Sequence, residues 1–177
     1  MIKLSLSAIN ANSPYQLRLS TLGGFDFCTD FGIEYNIALI EDSSLAFDGV
    51  YMLNILPCDS EKYLKNRKLL KHDIKIRQTV FAVLKEFFRQ NEGIIDYVCL
   101  TQDERQTYRN RLFKMWFNKY AGEDFAAFYT SLGDNYMGAI IKKDNPQYTD
   151  FDKAFKKFDE DIHKPEPWEI DIDNMED

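Results

Sequence analysis

The first third of the chain alternates apolar and polar residues at the two-residue period of half-buried strands. The first alternating stretch contains the pair Gly23-Gly24, which predicts a turn or bulge between two short strands. The pattern therefore predicts an antiparallel meander over residues 15–29, 33–39 and 47–56, and Pro57 ends it.

The next stretches predict a loop, a long helix and a central strand. Residues 59–72 are polar and basic and predict a loop that can hold a helical turn. Residues 74–91 repeat apolar side chains on one helical face, with Asp73 as the expected N-cap and Gly93 as the expected C-cap glycine. The continuous apolar run 94–100 is typical of a strand buried in the middle of a sheet.

The last third predicts a helix, a hairpin and a final helix. The second helix is expected from about residue 103 to residue 120. Residues 132–135 form a turn signal between two strand-like runs. The last helix is expected to open at Pro146 with Thr149 as its cap. Its aromatic stripe should dock on the body of the protein: Tyr148, Phe151, Phe155, Phe158 and Ile162.

The predicted order β-β-β-α-β-α-β-β-α indicates an α+β fold with a mostly antiparallel sheet. The chain has 177 residues, 45% hydrophobic and 29% charged, which is a globular composition. We expect one α+β domain over residues 1–163 and an acidic C-terminal tail over residues 164–177. No apolar run approaches the ~18 residues that a membrane span needs, so no membrane association is expected.

The formal net charge of −7 is unevenly distributed along the chain. Residues 159–177 carry −8 and the remainder carries +1. Bases concentrate in residues 62–77, seven against one acid, and in residues 105–119, five with no acid. The acidic tail can stay solvated, fold back on these patches or contact a protein partner. The negative total argues against nucleic acid as a partner.

The cysteines and histidines indicate a cytoplasmic protein without a metal site. Three widely separated cysteines do not make a disulfide framework, and Cys28 and Cys99 are expected to be buried because they lie in apolar runs. The N-terminus makes a poor signal peptide. Neither His72 nor His163 has another histidine or a cysteine one helical turn away, and no cysteine pair has zinc-site spacing.

Two arginines fall on the apolar face of the second predicted helix. Arg109 points into the middle of that face, and Arg105 lies one turn earlier on the same line. A buried arginine needs a carboxylate, backbone carbonyls or an anionic ligand. The sequence leaves open an internal ion pair, an anion site and a side chain that reaches solvent. The carboxylates available for an internal pair are Asp26, Asp30, Glu34 and Asp96.

Arg77 is the third candidate ligand-binding arginine, because it ends the basic stretch at the start of the first long helix. Free N–H groups at a helix N-terminus attract anions, and nearby bases add charge. No glycine lies between Gly49 and Gly93, so a glycine-rich phosphate loop is absent from this region. An exposed polar loop remains the alternative interpretation of the stretch.

Three segments resemble a family of short uncharacterised proteins from Bacteroidota. They begin Phe25-Asp-Phe27, Asp73-Ile-Lys-Ile76 and Arg109-Asn-Arg111 and cover residues 25–35, 73–79 and 109–117. That family is a domain of unknown function, so the resemblance implies a relative and no activity.

The predicted element order is similar to that of GNAT-type N-acyltransferases. Those enzymes bind the acyl-CoA pyrophosphate in a glycine-containing turn where the first long helix begins, whereas residues 68–77 stand at that place here without a glycine. Their next helix often supplies a tyrosine that protonates the departing thiolate, and Tyr108 has the matching spacing but lacks the glycine that follows in the family. The resemblance implies an acyl-CoA substrate, Tyr108 as the candidate acid, and an open cleft between strands 94–100 and 125–129.

Three functions follow from these observations. The first is a binding or regulatory module in which Arg105, Arg109 and Arg77 hold an anionic group. The alternative is a diverged GNAT-like acyltransferase, which alone implies acyl-CoA. The third is a nucleic-acid-associated protein of a defence or toxin–antitoxin type. The sequence does not decide whether the protein is an enzyme, and it identifies no cofactor.

Overall fold

The computed structural model describes residues 2–70, 73–99, 106–120 and 122–164. These residues form one seven-stranded sheet in the order β1-β2-β3-β4-β5-β7-β6, with helices on both faces. The elements are α1 (Leu6–Asn12), β1 (Leu17–Leu19), β2 (Phe25–Cys28), β3 (Glu34–Glu41), β4 (Val50–Pro57), α2 (Ser60–Leu70), α3 (Ile74–Gln90), β5 (Ile94–Cys99), α4 (Gln106–Tyr120), β6 (Phe125–Leu132), β7 (Asn135–Lys142) and α5 (Tyr148–Ile162).

The sheet is antiparallel except where β4 meets β5. The chain passes from β4 through α2 and α3 before it returns to β5, and a connection of this length is what a parallel pair requires. The strands β6 and β7 form the predicted hairpin, closed at Leu132 and Asn135. In the sheet, β7 lies between β5 and β6. The strand β5 therefore has a neighbour on each side, β4 and β7, and is a central strand as predicted.

One face of the sheet, here called the core face, packs against α1, α3 and α4. Alternate strand residues point to it, and they form the larger hydrophobic core with the apolar stripe of α3. Phe27, Ile37 and Ile95 are fully buried there, and so are Val80 and Phe87 of α3. Burial of this stripe explains why the helical period of α3 was visible in the sequence.

The opposite face, here called the α5 face, is covered only in part. Phe151 of α5 is 3% exposed and packs with Phe128 and Phe155 over β4, β5 and β7. The remaining area, here called the open half of the α5 face, carries apolar side chains that α5 leaves exposed on β3, β4 and β5: Ile40, Leu56 and Val98.

The α+β class and the mostly antiparallel sheet are confirmed, and the structure adds two helices and one strand to the predicted order. The helix α1 has only seven residues, too few to show a period. The helix α2 replaces the loop expected over residues 59–72, because its lysine-rich sequence favours a helix without an apolar stripe.

Two predicted helix ends are wrong. The helix α3 is capped by Asp73 as expected, but its C-cap is Asn91, whose backbone N–H donates to the carbonyl of Phe87. Gly93 instead leads into β5, where an added Cβ would lie 2.7 Å from the carbonyl oxygen of Gly49. The helix α5 begins at Tyr148, so Thr149 lies inside the helix and is not its cap.

Candidate functional site

The pairing between β4 and β5 stops in the middle of the sheet, and the space between the two strands beyond that point is here called the opening. The two strands pair at three positions, from Val50 with Ile94 to Met52 with Asp96. Beyond Met52, β4 stays paired with β3 as far as Pro57, and β5 stays paired with β7 through its last residue. No described pair joins residues 53–57 to residues 97–99, so the two parallel strands diverge toward their C-terminal ends.

The cleft that the acyltransferase resemblance implied is not found between the expected strands, and that prediction is wrong. It was expected between strands 94–100 and 125–129, but β7 lies between those strands and pairs with both of them. Which strands become neighbours is decided by long-range pairing, which a local pattern does not contain.

The helices α3 and α4 flank this opening on the core face. The side chains of α3 pack into the core of the first four strands, and Phe113 of α4 stacks on Tyr97 of β5 with ring centroids 4.4 Å apart. Phe81 of α3 meets Phe117 of α4 at 6.4 Å, so the two helices touch. Both helices come after the C-terminal end of a strand of this pair, α3 after β4 by way of α2 and α4 directly after β5. We therefore expect their first turns at the end of the sheet where β4 and β5 diverge, here called the mouth of the opening.

Arg109 and Arg77 come from these first turns. Arg77 lies one turn before Phe81 in α3, and Arg109 lies two turns before Phe117 in α4. Because the rings of Phe81 and Phe117 are in contact, both arginines lie toward the helix N-termini from that contact, on the mouth side. Both side chains are half-buried. The sequence predicted these two arginines as binding residues, and the fold puts them on the two helices beside the opening.

Arg109 lies against the thiol of Cys99, the last residue of β5. The charge of Arg109 and its hydrogen bond to that thiol lower the pKa of Cys99, but burial is the larger effect and raises the pKa to about 11. Cys99 is therefore a neutral thiol at physiological pH and not an activated nucleophile. Its burial confirms the prediction for Cys99, whereas Cys28 is exposed and that prediction is wrong.

The four carboxylates that could have paired with Arg109 have other described neighbours. Asp26 and Glu34 both pair with Arg18. Asp30 receives Lys75 at 2.6 Å, and Asp96 lies beside Asp42.

Beneath α4, the aromatic ring of Tyr97 fills the floor of the site. Its hydroxyl donates to the side-chain carbonyl of Asn110 over 3.4 Å, and both residues are buried. The ring lies across Gly138 of β7, where an added Cβ would come within 2.5 Å of it. Burial raises the pKa of Tyr97, so it stays a neutral hydroxyl.

Two predicted site residues are outside what the structure describes. Arg105 belongs to residues 100–105, which lie outside the described ranges, and the side chain of Tyr108 is not described either. The backbone of Tyr108 is in the first turn of α4, the same turn that carries Arg109. Tyr108 as a candidate acid remains a prediction.

The N-terminus of α3 is closed by its own cap. Asp73 accepts the backbone N–H of Lys75 at 2.9 Å and the hydroxyl of Tyr15 at 2.7 Å. A carboxylate at this position repels a second anion and occupies a backbone donor. One backbone donor of this helix end is therefore already used, and residues 68–77 contain no glycine that would form a phosphate-binding turn.

Asp96 also lies at this site, although the sequence suggested it only as a possible partner for Arg109. It stands at the last residue pair before β4 and β5 diverge. Burial and the negative charge of Asp42 raise its pKa to about 6. The sequence signal for Asp96 was a single acid inside the apolar run 94–100, because acidic residues are rarely buried unless they are paired.

The described residues contain no group of three or more potential metal ligands. Within the same ranges, no helix has both the length and the apolar character that crossing a membrane requires. The predicted acidic tail, apart from Lys164, lies outside the described residues, so its role as a partner surface remains a prediction.

The model of a family of unknown function, DUF6169, matches residues 72–160, half of the chain, including α3, α4 and both strands of the hairpin. No match was found among the curated proteins or among the solved structures.

Proposed function

Because this chain belongs to the DUF6169 family, whose function is unknown, we propose its activity from the geometry: it is a GNAT-like N-acyltransferase that holds an acyl-CoA between β4 and β5. One observation carries the proposal. The parallel pair of β4 and β5 separates after three residue pairs, while both strands stay paired on their outer sides. Ligands of open sheets bind where parallel strands meet a change in strand order, outside the strand ends.

The backbone of the opening suits an extended, amide-containing ligand. Along residues 53–57, some backbone N–H and C=O groups point toward the opening. No described strand pairs with them on that side. Buried backbone groups need partners, and an extended chain can supply them as an added strand does. The pantetheine arm of an acyl-CoA is such a chain, with two amide groups and a thioester at its end.

The arginines at the mouth suit the phosphates of the same ligand. Guanidinium groups bind phosphate oxygens in pairs of hydrogen bonds, and Arg77 and Arg109 stand on the two helices that flank the opening. Because Asp73 closes the N-terminus of α3, these side chains take the role that the glycine-containing turn has in GNAT-type enzymes. An acyl-CoA substrate also fits the cytoplasmic location predicted from the unpaired cysteines.

Thermal unfolding in the presence of acetyl-CoA, CoA and inorganic phosphate tests this proposal. Acetyl-CoA at about 100 times its Kd should stabilise the protein by about 2.7 kcal/mol, a shift of a few degrees in Tm. Arg109→Lys should reduce the shift at a fixed acetyl-CoA concentration, because a lysine keeps the charge but not the paired hydrogen bonds. Arg111→Lys is the matched control, because Arg111 is exposed on the same helix.

A second function stays open because Asp73 occupies the helix end that a pyrophosphate would use. In that case the protein is a binding or regulatory module, and the arginines hold a small anion. Stabilisation by phosphate that depends on Arg109, together with no shift by acetyl-CoA or CoA, would favour this function and contradict the acyltransferase. The acidic tail would then be its surface for a protein partner.

A further inference from the structure

The two edges of the sheet differ in how they are protected against pairing with another strand. Natural edge strands are kept short, charged or interrupted by proline, because their unpaired N–H and C=O groups bind extended chains. The edge strand β1 has three residues and carries Arg18. The edge strand β6 has eight residues, Phe125–Leu132, and none of them is charged or a proline. The β6 edge therefore has the features of a strand that a further strand covers.

Every second residue of β6 directs its backbone groups away from β7. The backbone N–H of Lys143 donates to the carbonyl of Asp124 at 2.9 Å, so these two residues form a hydrogen-bonded pair. In an antiparallel pair such residues alternate with residues whose N–H and C=O groups point outward. No strand of the described ranges pairs with β6 on its outer side. The outward residues are Phe125, Ala127, Tyr129 and Ser131.

The helix α5 leads the chain toward the C-terminal end of β6. In the first half of α5, Phe151 meets Phe128 with ring centroids 5.3 Å apart, and two turns later Asp159 accepts the hydroxyl of Thr130. The helix therefore crosses β6 in the direction of its last residues, and the described ranges end at Lys164, just beyond α5. A chain that continues from Lys164 and reverses its direction would run antiparallel to β6 over a short connection.

The sequence after Lys164 suits an added strand. Residues 165–177 lie outside the described ranges, and residues 168–173 read Trp-Glu-Ile-Asp-Ile-Asp. Alternation of apolar and acidic residues at a period of two is typical of a strand with two different faces. Pro165 and Pro167 disfavour a continued helix, and the connection from Lys164 to Trp168 can span about 14 Å when extended. Neighbouring strands lie about 4.8 Å apart, so this connection is long enough to reach the edge of β6.

The two sides of the β6 edge match the two faces of that segment. On the α5 face, Leu132 and Phe158 are apolar side chains with exposed fractions of 53% and 44%. On the core face, the ammonium group of Lys114 lies 4.9 Å from the centre of the Tyr129 ring, and Lys85 is exposed near the start of β6. An added strand with its apolar residues on the α5 face and its acids on the core face would meet matching side chains on both sides.

We propose that residues 168–173 of the same chain add to β6 as a further antiparallel strand, with the apolar residues on the α5 face and the acids on the core face. The interaction surface is the outer edge of β6, and the occupant that it fits is an extended segment of alternating apolar and acidic residues. The added strand closes the unprotected edge and brings carboxylates to Lys114 and Lys85. This inference does not depend on acyl-CoA, so it can fail while the proposed function holds, and the reverse.

Amide hydrogen exchange of the full chain, followed residue by residue by NMR, tests the pairing. The inward amides of Ala126, Phe128 and Thr130 are bonded to β7 and serve as the internal reference. If the segment covers the edge, the outward amides should exchange within about tenfold of that reference. Outward amides that exchange roughly a hundredfold or more faster than the reference would show an open edge and overturn the proposal.

Proline at two adjacent positions of the segment tests whether this segment is the occupant. N–H directions alternate along a strand, so Ile170→Pro combined with Asp171→Pro removes one N–H aimed at β6 in any register. The outward amides should then exchange about tenfold faster, the effect of losing a hydrogen bond of about 1.4 kcal/mol. Met175→Pro combined with Glu176→Pro is the matched control beyond the segment and should change nothing. Unchanged exchange in the first variant would overturn the proposal.

Charge reversal on the core face tests which face the acids occupy. Lys114→Glu places a carboxylate beside the acids of the added strand, so the outward amide of Tyr129 should exchange several-fold faster at low salt, and the difference should shrink in concentrated salt. Lys65→Glu reverses an exposed charge on α2 and is the control. No effect of Lys114→Glu would overturn the assignment of the acids to the core face.

Sedimentation at low and high protein concentration tests whether the segment comes from the same chain. We expect a monomer at both concentrations. A dimer that the two prolines at residues 170 and 171 dissociate would place the segment of a second copy on β6. A dimer that survives these prolines would pair β6 with β6 of a second copy. Either dimer would overturn pairing within one chain.

Discussion

At the residue scale, the packing around Tyr97 requires a glycine on the neighbouring strand. The ring is 1% exposed, is stacked on Phe113 and covers Gly138, which has no positive φ that would demand glycine for backbone reasons. The lack of space beside the Tyr97 ring, and not the backbone conformation, therefore requires glycine at this position. The same ring forms the floor beside Arg109 and Cys99, so its position also shapes the candidate site.

Gly138→Ala should destabilise the protein by about 1–3 kcal/mol, because the new methyl group would overlap the Tyr97 ring, which has no room to move. Urea unfolding measures the change. In a Tyr97→Leu background the same substitution should cost much less, since a smaller side chain leaves space. Equal costs in the two backgrounds would show that the ring is not the obstacle.

Glu86 is the second residue whose environment makes a firm prediction. It is 4% exposed and accepts hydrogen bonds from the backbone N–H of Ser5 and from the side chains of Arg89 and Gln90. The hydrogen bond from Arg89 is the main cause that lowers the pKa of Glu86, with Gln90 and Ser5 adding to it. The stabilisation is therefore complete above the unfolded pKa of about 4.3 and is lost as the pH falls through the lower folded value.

Glu86→Gln should reduce the free energy of unfolding at pH 7 by about 1–3 kcal/mol, because hydrogen bonds to a charged group are lost. The difference from wild type should shrink as the pH falls below 4. Urea unfolding at several pH values measures both effects. Glu92→Gln, at an exposed position two residues beyond α3, is the control and should change little.

At the element scale, α5 is held by its aromatic stripe. Phe151 contacts Phe47, Phe128 and Phe155, with ring centroids between 5.2 and 6.1 Å. The stripe was visible in the sequence because its aromatic residues recur at helical spacing. It buries the part of the α5 face that lies beside the open half.

Phe151→Ala should cost about 3–5 kcal/mol, the range for removing a buried phenylalanine. Phe158→Ala is the matched control on the same stripe and should cost less than about 1 kcal/mol, because that ring is 44% exposed. Guanidinium unfolding followed by far-ultraviolet circular dichroism compares the two variants. Similar losses would mean that α5 is not anchored through Phe151.

At the scale of the whole molecule, two hydrophobic cores share the same strands. Ile95 and Ile140 belong to the larger core, whereas their sequence neighbours Ile94 and Ile141 belong to the core under α5. Neither core can lose its strands while the other keeps them. The single domain expected over residues 1–163 stays a prediction, and these shared strands support it.

Thermal unfolding should accordingly be one cooperative transition. Far-ultraviolet and near-ultraviolet circular dichroism should give the same midpoint, and Phe151→Ala should lower both midpoints together. An early near-ultraviolet step that leaves the far-ultraviolet signal intact would show that the core under α5 melts by itself.

The sequence by itself determined the local elements of this protein. Periodicity and capping residues predicted α3 with its Asp73 cap, the central strand β5, the hairpin and the docked stripe of α5, because these signals arise within a few neighbouring residues. The helical face of α4 likewise made Arg109 a candidate binding residue, and that role stays a prediction. The polar helix α2 has no apolar stripe, so no pattern showed it.

Only the tertiary structure decided which strands are neighbours and what lies at their ends. The place of β7 between β5 and β6, and the opening between β4 and β5, depend on pairing between distant parts of the chain. The same pairing brings Asp42 to Asp96 and Cys99 to Arg109. A carboxyl group acquires a raised pKa from burial and from a neighbouring charge, and both exist only once the sheet has formed.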